Sequence, residues 1–271
     1  AALNWISAQF DLGVVPVNLF CAALFMGGIA KLAWRQPNPF LAMLVAVPYL
    51  IIVVGMGYTR QAAAIGIICF AIADASERRI VRLIVLISIA ALFHKSAILV
   101  LPIALVPIFR RNIIYGAAGA LAFAVLFYLF VDRTSDRLIA NYVQGDYDSQ
   151  GAAVRVSMNV LAASIFIIFR NRIQIPSFQK SLWMSYALLS IASVFVLILT
   201  PASSGIDRLS LYLIPLQMLI YCRLPYVLKS GNSISLSVLL LVILYCISVQ
   251  FTWLNFADNS MYWIPYISSF L

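Results

Sequence analysis

Residues 80 to 109 read IVRLIVLISIAALFHKSAILVLPIALVPIF. A perpendicular bilayer crossing uses about 20 residues, so this run is too long for one simple helix. His94, the only histidine, lies near its middle beside Lys95 and Ser96, and Arg110 and Arg111 follow its end. A single helix would place the arginines at its two ends on opposite sides of a membrane. Two short helices turning at Phe93-His94-Lys95-Ser96-Ala97 place both basic ends on one side and the histidine on the other, as positive-inside bias requires. The expectation is a re-entrant or two-span element with His94 at its turn.

The rest of the chain has the same character. Of its 271 residues, 64% are hydrophobic and 10% charged, and the mean hydropathy is +1.01. Soluble domains carry about 25% charge, so this is an integral membrane protein. The apolar runs read as helices, since an unpaired amide in hydrocarbon costs several kcal/mol, and none alternates as a barrel strand would. The expected fold is an all-α polytopic bundle, one transmembrane domain over residues 1–271, with about ten segments. These are 13–34, 39–56, 61–73, 80–93, 96–109, 113–131, 155–169, 181–200, 208–222 and 234–253. Several fall short of a full crossing, a sign of half-helices around a working interior. Residues 132–154 form a polar outer loop, and 254–271 an aromatic tail in the outer interface.

Charge placement orients the bundle. With 31–38, 74–82, 110–112, 170–180 and 223–233 cytoplasmic, that side holds twelve of eighteen basic residues and a net charge near +10. The outer side then holds seven of nine acids and a net charge near −1. The basic balance is thereby explained by orientation, and nothing further supports nucleic-acid binding. Residues 1 to 12 carry no start methionine or leader pattern, so the chain is expected to lack an N-terminal part. Cys21, Cys69, Cys222 and Cys246 lie in apolar segments without metal-ligand spacing and read as small core residues.

Three arginines and the histidine fall on the outer side at span mouths. Arg60 follows Gly55 and Gly57 at a helix start, where free amides and a guanidinium together suit an anion; a headgroup anchor is the plainer reading. His94 can exchange a proton near neutral pH, and Lys95 beside it is expected to favour the neutral base. Ser96, two residues on, is not expected to face it on a helix. Arg155 follows a stretch rich in acids, amides and the tyrosines Tyr142 and Tyr147, a composition suited to sugar contact and equally to a solvated loop. Asp207 and Arg208 are expected to form a mutual ion pair, with Tyr212 on the Arg208 face. Trp263 and Tyr266 belong to the aromatic tail.

Tyr58-x-Arg60-Gln61, Phe93-His94-Lys95-Ser96-Ala97, Gly151-x-x-x-Arg155, Asp207-Arg208-Leu209 with Tyr212, and Trp263-Ile264-Pro265-Tyr266 occur in an order that resembles the EpsG-like family. That family is grouped with Wzy-type exopolysaccharide and O-antigen polymerases of the bacterial inner membrane. An early Glu-Pro-Gly element of the family is absent here.

The resemblance implies a glycosyltransferase at the outer, periplasmic face that extends polysaccharide from polyprenyl-diphosphate-linked oligosaccharides. Its partners would be that lipid-linked glycan, membrane lipid, and the chain-length regulator and flippase of the same pathway. No nucleotide sugar is needed, because the lipid diphosphate is already a good leaving group; no cofactor is expected, and without an acid-rich cluster on the outer face arginine is favoured over a metal. Arg60, Arg155 and Arg208 are the expected diphosphate ligands and His94 or Asp207 the expected base. Gln61, Tyr142, Tyr212, Trp263 and Tyr266 are the expected substrate contacts. A polytopic acyltransferase also uses one embedded histidine but draws its donor from the cytoplasm. A lipid-linked oligosaccharide flippase needs cations along the bilayer interior, whereas these lie at span ends.

Overall fold

A computed structural model of the chain describes residues 2–109, 113–114, 117, 120–121, 123–125, 151–199, 203–229 and 234–262. The regular structure among them is all helical, so backbone groups pair within each segment as an apolar solvent demands. In chain order the α-helices are α1 (Ala2–Gln9), α2 (Val15–Trp34), α3 (Pro39–Ala46), α4 (Thr59–Ala73), α5 (Ile80–Phe93) and α6 (Val100–Phe109). They continue with α7 (Ala152–Phe169), α8 (Ser177–Leu199), α9 (Ser203–Ser210), α10 (Pro215–Val227) and α11 (Leu236–Phe256).

Four of these, α2, α7, α8 and α11, are long and apolar enough to cross a bilayer, and Pro39–Gly55, Thr59–Ala73 and Lys95–Phe109 are shorter apolar helices. Among the described residues the count of about ten segments is therefore not confirmed. The run 39–56 changes at Val47 from α-helix to a π-helix ending at Gly55, with Pro48, which lacks an amide donor, at its start. The run 208–222 is cut by a 3₁₀ turn, Leu211–Leu213, before Pro215 opens α10. α1 occupies a stretch where no segment was expected. Residues 152–154, counted with the outer loop, are the first turn of α7. α11 runs on through Phe256 and is followed by a 3₁₀ turn, Asp258–Tyr262, so the tail begins later than residue 254.

The turn expected inside residues 80–109 is present. His94 has extended backbone angles, φ −144° and ψ 115°, and separates α5 from a 3₁₀ turn over Lys95–Leu99 that leads into α6.

The frame is set by α2 against α4. Gly28 meets Gly66, Gly27 meets Phe70, and Lys31 and Arg35 meet Asp74, so contacts advance together and the helices run parallel. Without a hydrophobic drive between helices in lipid, such crossings rely on small residues that let backbones touch. A Cβ on Gly66 would lie 2.4 Å from the Leu24 carbonyl oxygen, and one on Gly28 would lie 1.9 Å from that of Gly66. Backbone cannot rotate away, so only separating the helices relieves the clash. Gly66→Ala is expected to cost about 3 kcal/mol, the upper range for overpacking. Gly27→Ala, which meets only the edge of the Phe70 ring at 3.1 Å, should cost far less. Thermal unfolding of the detergent-solubilised pair measures the difference.

Parallel α2 and α4 require residues 39–55 to run back between them, and α5 then returns from the Asp74 end. Polar residues consequently collect at two ends. At one, Asp74 is ringed by Lys31, Arg35, Arg79 and Arg82, and Gln179 at the start of α8 donates to the Ala75 carbonyl. At the other lie Arg60 and His94. The 15-residue α4 separates them by roughly 22 Å, less than the ~30 Å of hydrocarbon. With Asp74 at one interface, the Arg60 end is no shallower than the phosphate level of the other.

Candidate functional site

The second polar end draws on four stretches distant in sequence. Arg60 is in the first turn of α4, whose N-cap Tyr58 makes no side-chain cap, so first-turn amides keep their donor capacity. The next residue, Gln61, is 2% exposed, and its Nε2 donates to the Arg208 carbonyl at 2.6 Å. That bond fastens α9 to the start of α4. Arg60 and Arg208, both exposed, are thereby held on one surface.

His94 sits under them. Its Nδ1 shares a hydrogen bond with the Ser96 hydroxyl at 2.6 Å and lies 3.1 Å from the Tyr212 hydroxyl, itself 3.2 Å from Ser96. The expectation that Ser96 would not face His94 fails because the pair straddles a helix break. Extended backbone at His94 followed by a 3₁₀ turn brings residues two apart onto one side. Tyr212 is 2% exposed and comes from the 3₁₀ turn that interrupts 208–222. Burial lowers the His94 pKa to about 4, aided by the charges of Arg208 and then Arg60. Lys95 was the expected cause, whereas the cations that depress the pKa, Arg208 and Arg60, come from other helices.

Asp207, expected to pair with its neighbour Arg208, meets an arginine of another helix. Its carboxylate binds the guanidinium of Arg155 on α7, whose Nε also donates to the Gly151 carbonyl at 3.2 Å. About 100° of helical rotation separates the choices: Asp207 points inward at 5% exposure while Arg208 points out. Arg155 also lies 5.8 Å from the centre of the Tyr49 ring, inside the π-helical stretch. Arg155, expected on a diphosphate, is thus engaged with Asp207 beneath the surface that carries Arg60 and Arg208. Tyr142, Trp263 and Tyr266 lie outside the described residues.

A chain of buried amides underlies this pair. Asn159 on α7 donates to the Ser210 carbonyl at 2.8 Å, and Gln217 on α10 donates to Asn159 Oδ1 at 2.7 Å. Tyr245 on α11 donates to Gln217 Oε1 at 3.0 Å, and the Ser210 hydroxyl donates to the Asp207 carbonyl at 2.6 Å. Tyr49, Asn159, Ser210, Gln217 and Tyr245 were not foreseen. For Asn159 and Gln217 the legible signal is an amide within an apolar helix, which lipid does not tolerate without a partner.

A family model described as the EpsG family matches residues 1–268. The chain belongs to the EpsG family. It is accordingly a membrane protein of a family associated with polysaccharide biosynthesis. No curated protein and no solved structure matches it.

Proposed function

We propose that this EpsG-family protein is a membrane glycosyltransferase that extends exopolysaccharide or O-antigen from polyprenyl-diphosphate-linked repeat units. The reading places the reaction at the outer face of the bacterial inner membrane, because positive-inside bias puts the Asp74 end in the cytoplasm. The observation that carries it is the meeting of Arg60, Arg208 and a neutral, hydrogen-bonded His94 at one end of an apolar bundle. Such a surface fits an anionic leaving group held at headgroup depth beside a hydroxyl to be deprotonated.

In the proposed step, the bond between the growing chain's anomeric carbon and its lipid diphosphate breaks. A new bond forms to a hydroxyl of the incoming lipid-linked unit. In the Nδ1–H tautomer, His94 Nε2 takes the hydroxyl proton while Nδ1–H donates to Ser96, beside the Tyr212 hydroxyl. The lipid diphosphate leaves with the bonding electrons, and Arg60 and Arg208 meet the charge that develops on it. Gln61 acts as a positioning residue through its bond to the Arg208 backbone. Arg155 and Asp207 hold α9 against α7 from below.

The test is turnover of the purified full chain with polyprenyl-diphosphate-linked repeat units. Longer glycans support the polymerase, an acyl ester formed with an acyl donor supports an acyltransferase, and movement between leaflets alone supports a flippase. Within the polymerase reading, Arg60→Lys and Arg208→Lys each lose about tenfold or more, since lysine cannot reproduce the fork that grips a phosphate. The exposed Arg170→Lys, at the opposite end of α7 from Arg155, keeps full activity. Normal rates from the first two would return them to headgroup anchoring.

A further inference from the structure

The Asp74 end has a second site, remote from the reaction surface and independent of its chemistry. One carboxylate there serves four cations: Arg35 forks onto Oδ1 at 2.6 Å through Nε and a terminal nitrogen. Arg79, Arg82 and Lys31 crowd Oδ2 at 3.2, 3.4 and 3.5 Å. Burial opposes the charge on Asp74, but the Arg35 hydrogen bond and the charges of Arg35, Lys31 and Arg79 outweigh it and hold the carboxyl below its usual range. Over residues 31–35 and 74–82 five cations face two acids. A surplus of three positive charges therefore stands on one small patch.

Beside this patch a groove of about 430 Å³ opens along the side of α2. It is lined by Gly27, Ala30, Lys31, Trp34, Arg35 and Phe70. Residues 27, 30, 31 and 34 share one face of a helix, so the groove runs with the helix axis, apolar above and basic below. Gly27 forms its floor, because a side chain there would strike the Phe70 ring. Trp34 is 73% exposed at the mouth, where an indole belongs at the depth of lipid headgroups.

We infer that this groove binds one anionic phospholipid, its phosphate on Lys31 and Arg35 and an acyl chain laid along Gly27, Ala30 and Phe70. The charge argues for the headgroup and the geometry for the chain. A soluble anion would satisfy the cations but leave the apolar half of the groove unused. A zwitterionic lipid fills the apolar half but brings its own cation to a patch already in positive excess. The occupant touches α2 and, through Phe70, α4, beside the Asp74 ion pairs that also join the two helices.

The full chain reconstituted in phosphatidylcholine vesicles tests this with phosphatidylglycerol carrying a brominated acyl chain, which quenches a tryptophan it touches. The Trp34 signal is the difference between the protein and Trp34→Phe, since four other tryptophans are present. Brominated phosphatidylglycerol should quench Trp34 at mole fractions where brominated phosphatidylcholine does not. Lys31→Gln should weaken that preference about fivefold, the contribution of one interfacial cation. Ala30→Phe, which fills the groove and leaves every charge in place, should abolish the preference and guards against a Lys31 effect through Asp74. Equal quenching by both lipids would mean ordinary bilayer contact. Quenching by neither would mean that another protein chain covers the groove. Selectivity that survives both substitutions would place the lipid elsewhere. Each of these outcomes overturns the inference.

Discussion

His94→Gln is expected to leave the protein folded and the lipid-linked donor bound, while glycan extension slows about 100-fold or more, the range for a lost acid-base group. Glutamine keeps a hydrogen-bonding side chain for Ser96 and Tyr212, so the helix break should hold. What it loses is a lone pair that can take a proton near neutral pH. The pH profile separates this role from packing. With its pKa lowered to about 4 by burial, Arg208 and Arg60, His94 is neutral above about pH 5. The rate should stay level from pH 7 to near 5 and fall only toward 4, well below the 6.5 of an ordinary imidazole. Arg60→Gln removes one of the depressing charges and should move that fall upward. The linkage has a matching sign: between 4 and 6.5 the unfolded chain binds the proton and the folded chain does not. The stability His94 contributes is thus complete above 6.5 and lost as pH falls through 4. Full turnover by His94→Gln would remove the base from this residue.

The all-helical membrane class was legible because apolar length and charge spacing obey the bilayer, and both survive any detail of packing. The break at His94 was legible for the same reason, since no single helix reconciled the arginines at its ends. The span count was less so. Hydropathy registers Pro39 to Gly55 or 208–222 as continuous apolar runs, while the change to π-helix at Val47 and the 3₁₀ turn at Leu211–Leu213 depend on what those backbones pack against. Pairing choices were hidden for a related cause. Asp207 and Arg208 are neighbours in sequence, yet helical rotation sends one inward to Arg155 and the other outward. Arg60 and Arg208, which depress the His94 pKa, come from α4 and α9, whereas the expected cause was Lys95 beside it. Spacing fixes who shares a face within one helix, but only tertiary contact decides which faces meet.

Asp207→Asn is expected to be the most destabilising of the site substitutions, by about 3–5 kcal/mol, because it removes one member of a buried ion pair. The Arg155 side chain is only 12% exposed, and its contacts with the Gly151 carbonyl and the Tyr49 ring are to groups without a full negative charge. The loss should spread beyond the pair, since the Asp207 carbonyl accepts from Ser210, whose own carbonyl accepts from Asn159. Adding Arg155→Gln to Asp207→Asn removes the other charge of the pair as well, so the double variant should recover a large part of the stability lost in the single one. Unfolding in detergent reads the cycle, and turnover per folded molecule reads the chemistry. If Asp207 is the base that takes the acceptor proton, its asparagine variant will instead stay folded and lose turnover, and Arg155→Gln will restore nothing. Recovery of stability in the double variant, with turnover per folded molecule within a few-fold of the parent, assigns the ion pair to holding α9 against α7 and leaves proton transfer to His94.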